Sequence, residues 1–272
     1  MKTMLNMVEL PTQVRMPYVE QGDPWGTPVV LLHGYPDSWF SFTPLLPHLP
    51  ESIRAIVPTQ RGWGDAGRPA EGYTMDDYAG DVLALLDALR IEAAVIAGHS
   101  MGSLIAQRFA IRHPERTLGL VLIGSVTTFA GHAGLLEFQQ AIEALDGPLD
   151  PDLVREFQES MFVQPPEPEL LEGLIAESMK APLPVWKQSL AGILAFDTRL
   201  ELSRISAPTR IIWGDQDQLC SRAEQDALLA GISNARLSVY RGGGHCVNWE
   251  QPAAVAAEIV DLAARVSDPV GC

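Results

Sequence analysis

Positive charge is in short supply. The 272 residues hold 19 Lys and Arg against 34 Asp and Glu, a formal net charge of −15. A surface so acidic repels phosphate backbones and anionic headgroups, so neither nucleic acid nor a membrane surface is expected as a partner. Cysteine is scarce too, with only Cys220, Cys246 and Cys272. An odd count without a Cys-x-x-Cys pair argues against a disulfide scaffold and for reduced thiols in a cytoplasm. No spacing of His, Cys and Asp suits a metal ion, so no metal site is expected. Long apolar runs are missing; none approaches the ~18 residues of a membrane span. The opening stretch "MKTMLNMVELPTQVRMPYV" has one Lys, and Glu9 and Pro11 interrupt it before an export-signal core can form.

Apolar material is present, but in short pieces. It makes up 47% of the chain, enough for one large core or for a core with an insertion. The runs "PVVLLHG" (28–34), "RAIVPT" (54–59), "AAVIAG" (93–98), "LGLVLIG" (118–124), "TRIIWG" (209–214) and "ARLSVY" (235–240) are near-continuous rather than alternating. That is the pattern of strands covered on both faces. Helical patterns lie between most of them: 74–90, with Thr74 as cap, 101–114, 221–232, and 252–266, which starts on Pro252. Strand–helix alternation predicts a mostly parallel sheet with helices on both faces. The stretch near 7–21 offers one or two edge strands. Residues 127–196 break the rhythm with helical patterns alone, and predict a helical insertion between two strands. The core is then 1–126 and 197–272.

One short stretch carries chemistry. In "VIAGHSMGSL" (95–104), Ser100 stands between Gly98 and Gly102, after a strand and before a helix. In that context Gly-x-Ser-x-Gly reads as a nucleophile elbow: the serine is held on a strained turn, and the glycines remove side chains where strand and helix crowd. The Met101 N–H, at the helix start, points where an oxyanion would form. A serine needs a base. Of the six histidines, His99 adjoins the nucleophile and should point away from it. His113 ends a helix, His33 precedes Gly34, and His48 and His132 show no partner signal. His245, in the loop "RGGGHCVNWEQP" after the last strand, fits the chain order Ser, acid, His. The acid should follow an intermediate strand. "GDQDQ" offers both Asp215 and Asp217, and either could orient His245.

With "HGYPDSW", "QRGWGDAGRP", "GHSMG", "WGDQD" and "GGGHCVNWEQP" in that order, the chain resembles the α/β-hydrolase superfamily over nearly its full length. The resemblance implies an α/β-hydrolase fold with residues 127–196 as a helical cap over the pocket. It places the second oxyanion-hole N–H at Tyr35 beside Met101, favours Asp217 over Asp215 as the acid, and makes Arg61 a structural brace. "HGYPDSW" looks most like the epoxide hydrolase and haloalkane dehalogenase branch, which uses an Asp nucleophile. Here Ser100 stands in its place, and a Ser–His pair suits acyl carbon.

The expected activity is therefore that of a serine hydrolase on a small or medium apolar ester or lactone, through an acyl-enzyme. The alternatives are carbon–carbon bond hydrolysis or cofactor-free perhydrolysis with the same residues, and a ligand receptor on a hydrolase scaffold. No cofactor is required, and a monomer or small homo-oligomer is expected. Tyr35, Trp39, Phe40, Met101, Phe129, Phe138, Phe162, Trp186 and Phe196 are candidates for an apolar pocket wall. Cys220 and Cys246 flank the loops of Asp217 and His245, and read best as small packed hydrophobes.

Overall fold

The computed structural model describes residues 4–164 and 166–267. The strands are β1 (Met4–Glu9), β2 (Arg15–Gln21), β3 (Thr27–Leu32), β4 (Ile53–Pro58), β5 (Ala94–His99), β6 (Thr117–Ile123), β7 (Thr209–Gly214) and β8 (Ala235–Tyr240). They form one sheet in the order β1-β2-β4-β3-β5-β6-β7-β8. The β2 strand is antiparallel to β1 and β4, and every later pair is parallel. The 7–21 region thus supplies two edge strands, and each apolar run of the sequence is a strand of the sheet.

The near-continuous apolar runs have a direct cause. Val30, Leu32, Ile96, Leu120, Leu122 and Ile211 pack into one core layer, while Val29, Leu31, Val95, Val121, Ile123 and Ile212 pack into the other. Alternate residues point to opposite faces, and both faces are covered, so both sets are apolar. The first layer takes α1 (Met75–Ala88), α2 (Met101–Arg112) and α7 (Arg222–Gly231); the second takes α9 (Pro252–Ser267) and Val247 of the short α8 (Val247–Glu250). Helix α1 begins with a reciprocal capping box between Thr74 and Asp77. Arg61, in the loop after β4, makes two 2.6 Å bonds to Asp81 of α1, and both side chains are buried. A third bond, to the Gly72 carbonyl at 2.7 Å, uses the remaining arm of the guanidinium.

Between β6 and β7 lie four helices: α3 (Ala133–Glu143), α4 (Pro151–Ser160), α5 (Pro168–Ser178) and α6 (Leu183–Ala195). Among the described residues no strand of the sheet falls inside this segment. A single bridge, Thr128 to Asp197, closes its base. Thr198 just beyond it donates to Gln107 Oε1 of α2 at 2.8 Å, which ties the exit of the insertion to the core.

Candidate active site

The β5 strand, buried at every position, ends at His99, and Ser100 follows it. Ser100 has φ +52° and ψ −120°, a positive φ that costs a non-glycine residue conformational energy. The surroundings hold it there. Its N–H donates to the Ile123 carbonyl at 3.0 Å, and its carbonyl accepts from Ser103 N at 2.8 Å and Ser103 Oγ at 2.6 Å. The glycines are required by close approach: a Cβ on Gly98 would run into the Gly102 backbone, and a Cβ on Gly102 into the Leu32 backbone. The Tyr35 and Met101 N–H groups donate to no acceptor among the described residues.

His245 sits in the loop after β8, 4% exposed, with Nδ1 3.0 Å from Asp217 Oδ2. Asp217 Oδ1 accepts from the Leu219 N–H at 2.8 Å and the Cys220 N–H at 2.9 Å. Burial pushes the Asp217 carboxyl up, but the His245 imidazole and the two backbone donors outweigh it and hold the group below its ordinary value. An ionised Asp217 makes Nδ1 the protonated nitrogen, which leaves a lone pair on Nε2. Nε2 is buried and has no hydrogen-bond partner among the described residues. Asp215 acts elsewhere. Its Oδ1 accepts from Gly242 N at 2.7 Å and ties the Asp217 loop to the loop that carries His245.

The neighbouring groups are neutral. His99 does not simply point away. Its ring lies 5.1 Å from that of His245 and 5.5 Å from that of Trp249, and it borders the pocket. Burial lowers it to about 3, with the nearby His245 acting in the same direction. A neutral ring explains how it can bond the His245 carbonyl through Nε2 at 3.1 Å without adding charge beside the base. Cys220 Sγ lies 3.2 Å from the Gly124 carbonyl and 3.7 Å from His245 Nδ1. Burial and then the Asp217 charge push its thiol far up, so it packs as a neutral S–H. Cys246 is also a buried free thiol; Cys272 lies outside the described residues. Cys220, Asp217 and His245 place three potential ligand atoms within 4.8 Å, a cluster that cysteine and histidine spacing in the sequence did not reveal.

A cavity of about 30 Å³ adjoins Ser100 and His245. Its inserted-helix wall is Leu135, Phe157, Gln158, Met161, Leu190 and Ile193; Tyr35, Asp37, Leu219 and Trp249 line the core side. Of the aromatic candidates Tyr35 and Phe129 border it. Phe40 and Phe162 line a separate cleft of about 710 Å³ that shares Trp249 as a wall with the cavity. Phe138 packs on Phe157 at 4.9 Å, one layer back. Trp186 is fully buried against Tyr35 and Trp63, Phe196 lies in the core, and Trp39 packs under the opposite face of the sheet. The sequence shows which residues are apolar, but not which wall each one faces. Asp37 and Trp249 stand inside the quoted blocks "HGYPDSW" and "HCVNWEQP", the one signal that could have found them. A further opening of about 160 Å³ reaches His245 past Met161, Phe162 and Leu219.

A strained serine at a strand–helix turn, an adjacent buried Asp–His pair and an eight-stranded, mostly parallel sheet define a hydrolase architecture. Residues 27–252 match the family model described as alpha/beta hydrolase fold, and the chain belongs to that family, a hydrolase of the alpha/beta class. It is similar to the 2-hydroxymuconate semialdehyde hydrolase of Pseudomonas sp. (strain CF600), 30% identical over 263 residues, covering 90% of this chain and 86% of that protein. It is also similar to the AB hydrolase superfamily protein YisY of Bacillus subtilis (strain 168), 28% identical, covering 83% and 87%. A solved hydrolase from Pseudomonas aeruginosa PA01 superposes with a TM-score of 0.86 at 25% identity, covering 95% and 97%. Among the described residues no helix is long and apolar enough to cross a membrane.

Proposed function

We propose that this chain is a serine hydrolase that cleaves small apolar carboxylic esters or lactones through an acyl-enzyme on Ser100. The observation that carries this reading is the pairing of a positive-φ Ser100 at the end of β5 with a buried, hydrogen-bonded His245–Asp217 pair. Ser100 Oγ attacks the carbonyl carbon while His245 Nε2 takes its proton. The Tyr35 and Met101 N–H groups, free of other acceptors, receive the oxyanion. The imidazolium, steadied by Asp217, then protonates the departing alkoxide. Water attacks the acyl carbon, His245 takes its proton, and that proton returns to Ser100 Oγ as the acid leaves. The small, apolar cavity supports a short acyl group, and the larger cleft beyond Trp249 has room for an alcohol part. Residues 127–196 serve as the cap that sets this size.

A second reading is kept by one relative, the 2-hydroxymuconate semialdehyde hydrolase: the same residues would cleave a carbon–carbon bond beside a ketone. Two experiments test the main reading. A fluorophosphonate probe must label one site, lost together with ester turnover in Ser100→Ala. A panel of esters, lactones and β-diketones of graded length then separates the two readings. Turnover of diketones alone overturns the ester assignment, and wild-type turnover by Ser100→Ala overturns both.

A further inference from the structure

Asp37 has no part in the scheme above, yet it borders the same cavity as Ser100 and His245. It is 2% exposed and stands on the loop after β3, two residues beyond Tyr35. Gln158 of α4 donates to Oδ1 at 3.0 Å and is itself bonded to Ser178 Oγ at 3.0 Å. The carboxylate is therefore held from the helical insertion, and its orientation is not free. No donor among the described residues reaches Oδ2. That atom lies 3.4 Å from the point a Cβ on Gly34 would occupy, and the same point is 3.2 Å from Ser100 Cβ. A carboxylate oxygen of a buried side chain, with no protein donor and beside the nucleophile in a wall otherwise mostly apolar, calls for a ligand.

The cavity narrows the choice. A buried water needs at least two polar partners. Three acceptors without protein donors lie on residues that border the cavity: His245 Nε2, with its lone pair, His99 Nδ1 and Asp37 Oδ2. A water carries two O–H donors. The geometry points to Asp37 as the second acceptor for the hydrolytic water, a positioning role that decides the deacylation step of the proposed ester hydrolysis. One O–H donates to His245 Nε2 and the other to Asp37 Oδ2, which leaves an oxygen lone pair for the acyl carbon on Ser100. As the C–O bond forms, the first proton passes to His245 and then to Ser100 Oγ as the ester bond to serine breaks. Asp37 keeps its hydrogen bond throughout and ends the step in the protonation state it began. Burial places this carboxyl at about 7, with the Gln158 donor and the His245 imidazole holding it down, so a carboxylate is populated near neutral pH. His99 Nδ1, also buried and without a partner, is the rival acceptor.

The inference rests on the acyl-enzyme reading, and the test separates the two. Asp37→Asn keeps an oxygen to accept from Gln158 and puts a donor where Oδ2 was. With a short-chain p-nitrophenyl ester, the variant should keep a burst of about one nitrophenolate per enzyme and a kcat/KM within about threefold of wild type. Its kcat should fall about 10²-fold, the scale of a mispositioned reactant. Hydroxylamine, which attacks the acyl-enzyme without that water, should restore most of the turnover. Asp37→Ala provides a second variant with the same expected split. Equal losses in kcat and kcat/KM, or no loss, overturn the role of Asp37 while leaving the acyl-enzyme intact. The same split in His99→Gln with Asp37→Asn unaffected assigns the water to His99 instead. No burst in the wild type, with turnover kept by Ser100→Ala, overturns the acyl-enzyme reading and this role with it.

Discussion

Asp215 and Asp217 are two residues apart, and their surroundings give them different roles. Asp217 is fixed by two backbone donors and aimed at His245, while Asp215 holds Gly242 across the loop. Replacing Asp217 with Asn removes the charge that steadies the imidazolium and allows the wrong tautomer. Asp217→Asn should lower kcat on the order of 10⁴-fold with the fold intact, read by steady-state kinetics beside circular dichroism. Asp215→Asn should cost about 1 kcal/mol of stability in denaturant and leave kcat nearly unchanged. Exchange of the two phenotypes would make Asp215 the acid. From the sequence both aspartates are candidates, and the resemblance favours Asp217. The deciding fact is the direction of a side chain, set by the turn after Gly214, where Asp217 N–H bonds the Gly214 carbonyl.

At the scale of elements, the site is a meeting of strand ends and inserted helices. The strand end and α2 supply Ser100, the loops after β7 and β8 supply Asp217 and His245, and α3, α4 and α6 close the cavity. Leu190 and Ile193, one turn apart on α6, are nearly fully buried against it. Leu190→Ala should move the preferred acyl length up by one or two methylenes in a kcat/KM series, keep Ser100 labelling, and cost about 2–5 kcal/mol of stability. Trp186, packed behind Tyr35, should affect stability far more than acyl preference. The Arg61–Asp81 pair joins the loop after β4 to α1. Asp81→Ala strands a buried guanidinium, and about 3–5 kcal/mol should be lost in a urea titration. Fluorophosphonate labelling should persist wherever the protein stays folded. Strand and helix positions were readable because periodicity and caps are local. The wall of the cavity was not, because it depends on how four helices joined by loops settle over the sheet.

For the whole molecule, two buried carboxyls pull stability in opposite directions as pH changes. Asp37 is raised by burial from 3.8 to about 7, so the folded state binds more protons than the unfolded chain across that interval. Its contribution is fully present below about pH 4 and is lost as pH rises through about 7. Asp217 is lowered, so its contribution is present above the unfolded value near 4 and is lost only in stronger acid. Asp37→Asn removes the first dependence. Its stability relative to wild type should therefore rise between pH 4 and 8, by up to about 4 kcal/mol, as followed by melting temperature across that range. A constant difference between the two proteins across the range would show that Asp37 does not titrate there.

Unaided, the chain's residue pattern dictated the sheet, the helices around it, the place of the helical insertion, the elbow at Ser100 and the histidine that follows the last strand. These rest on short-range rules: alternation along a strand, 3.6-residue repeats, caps, and glycines where backbones touch. Tertiary packing settled which aspartate faces His245, which apolar residues wall the cavity, that His99 is a neutral strut, and that Asp37, held by Gln158 through one oxygen, turns the other to no protein donor. Each of these depends on the direction of a side chain between segments far apart in the chain. Contacts across the folded molecule set such directions, and no local pattern records them.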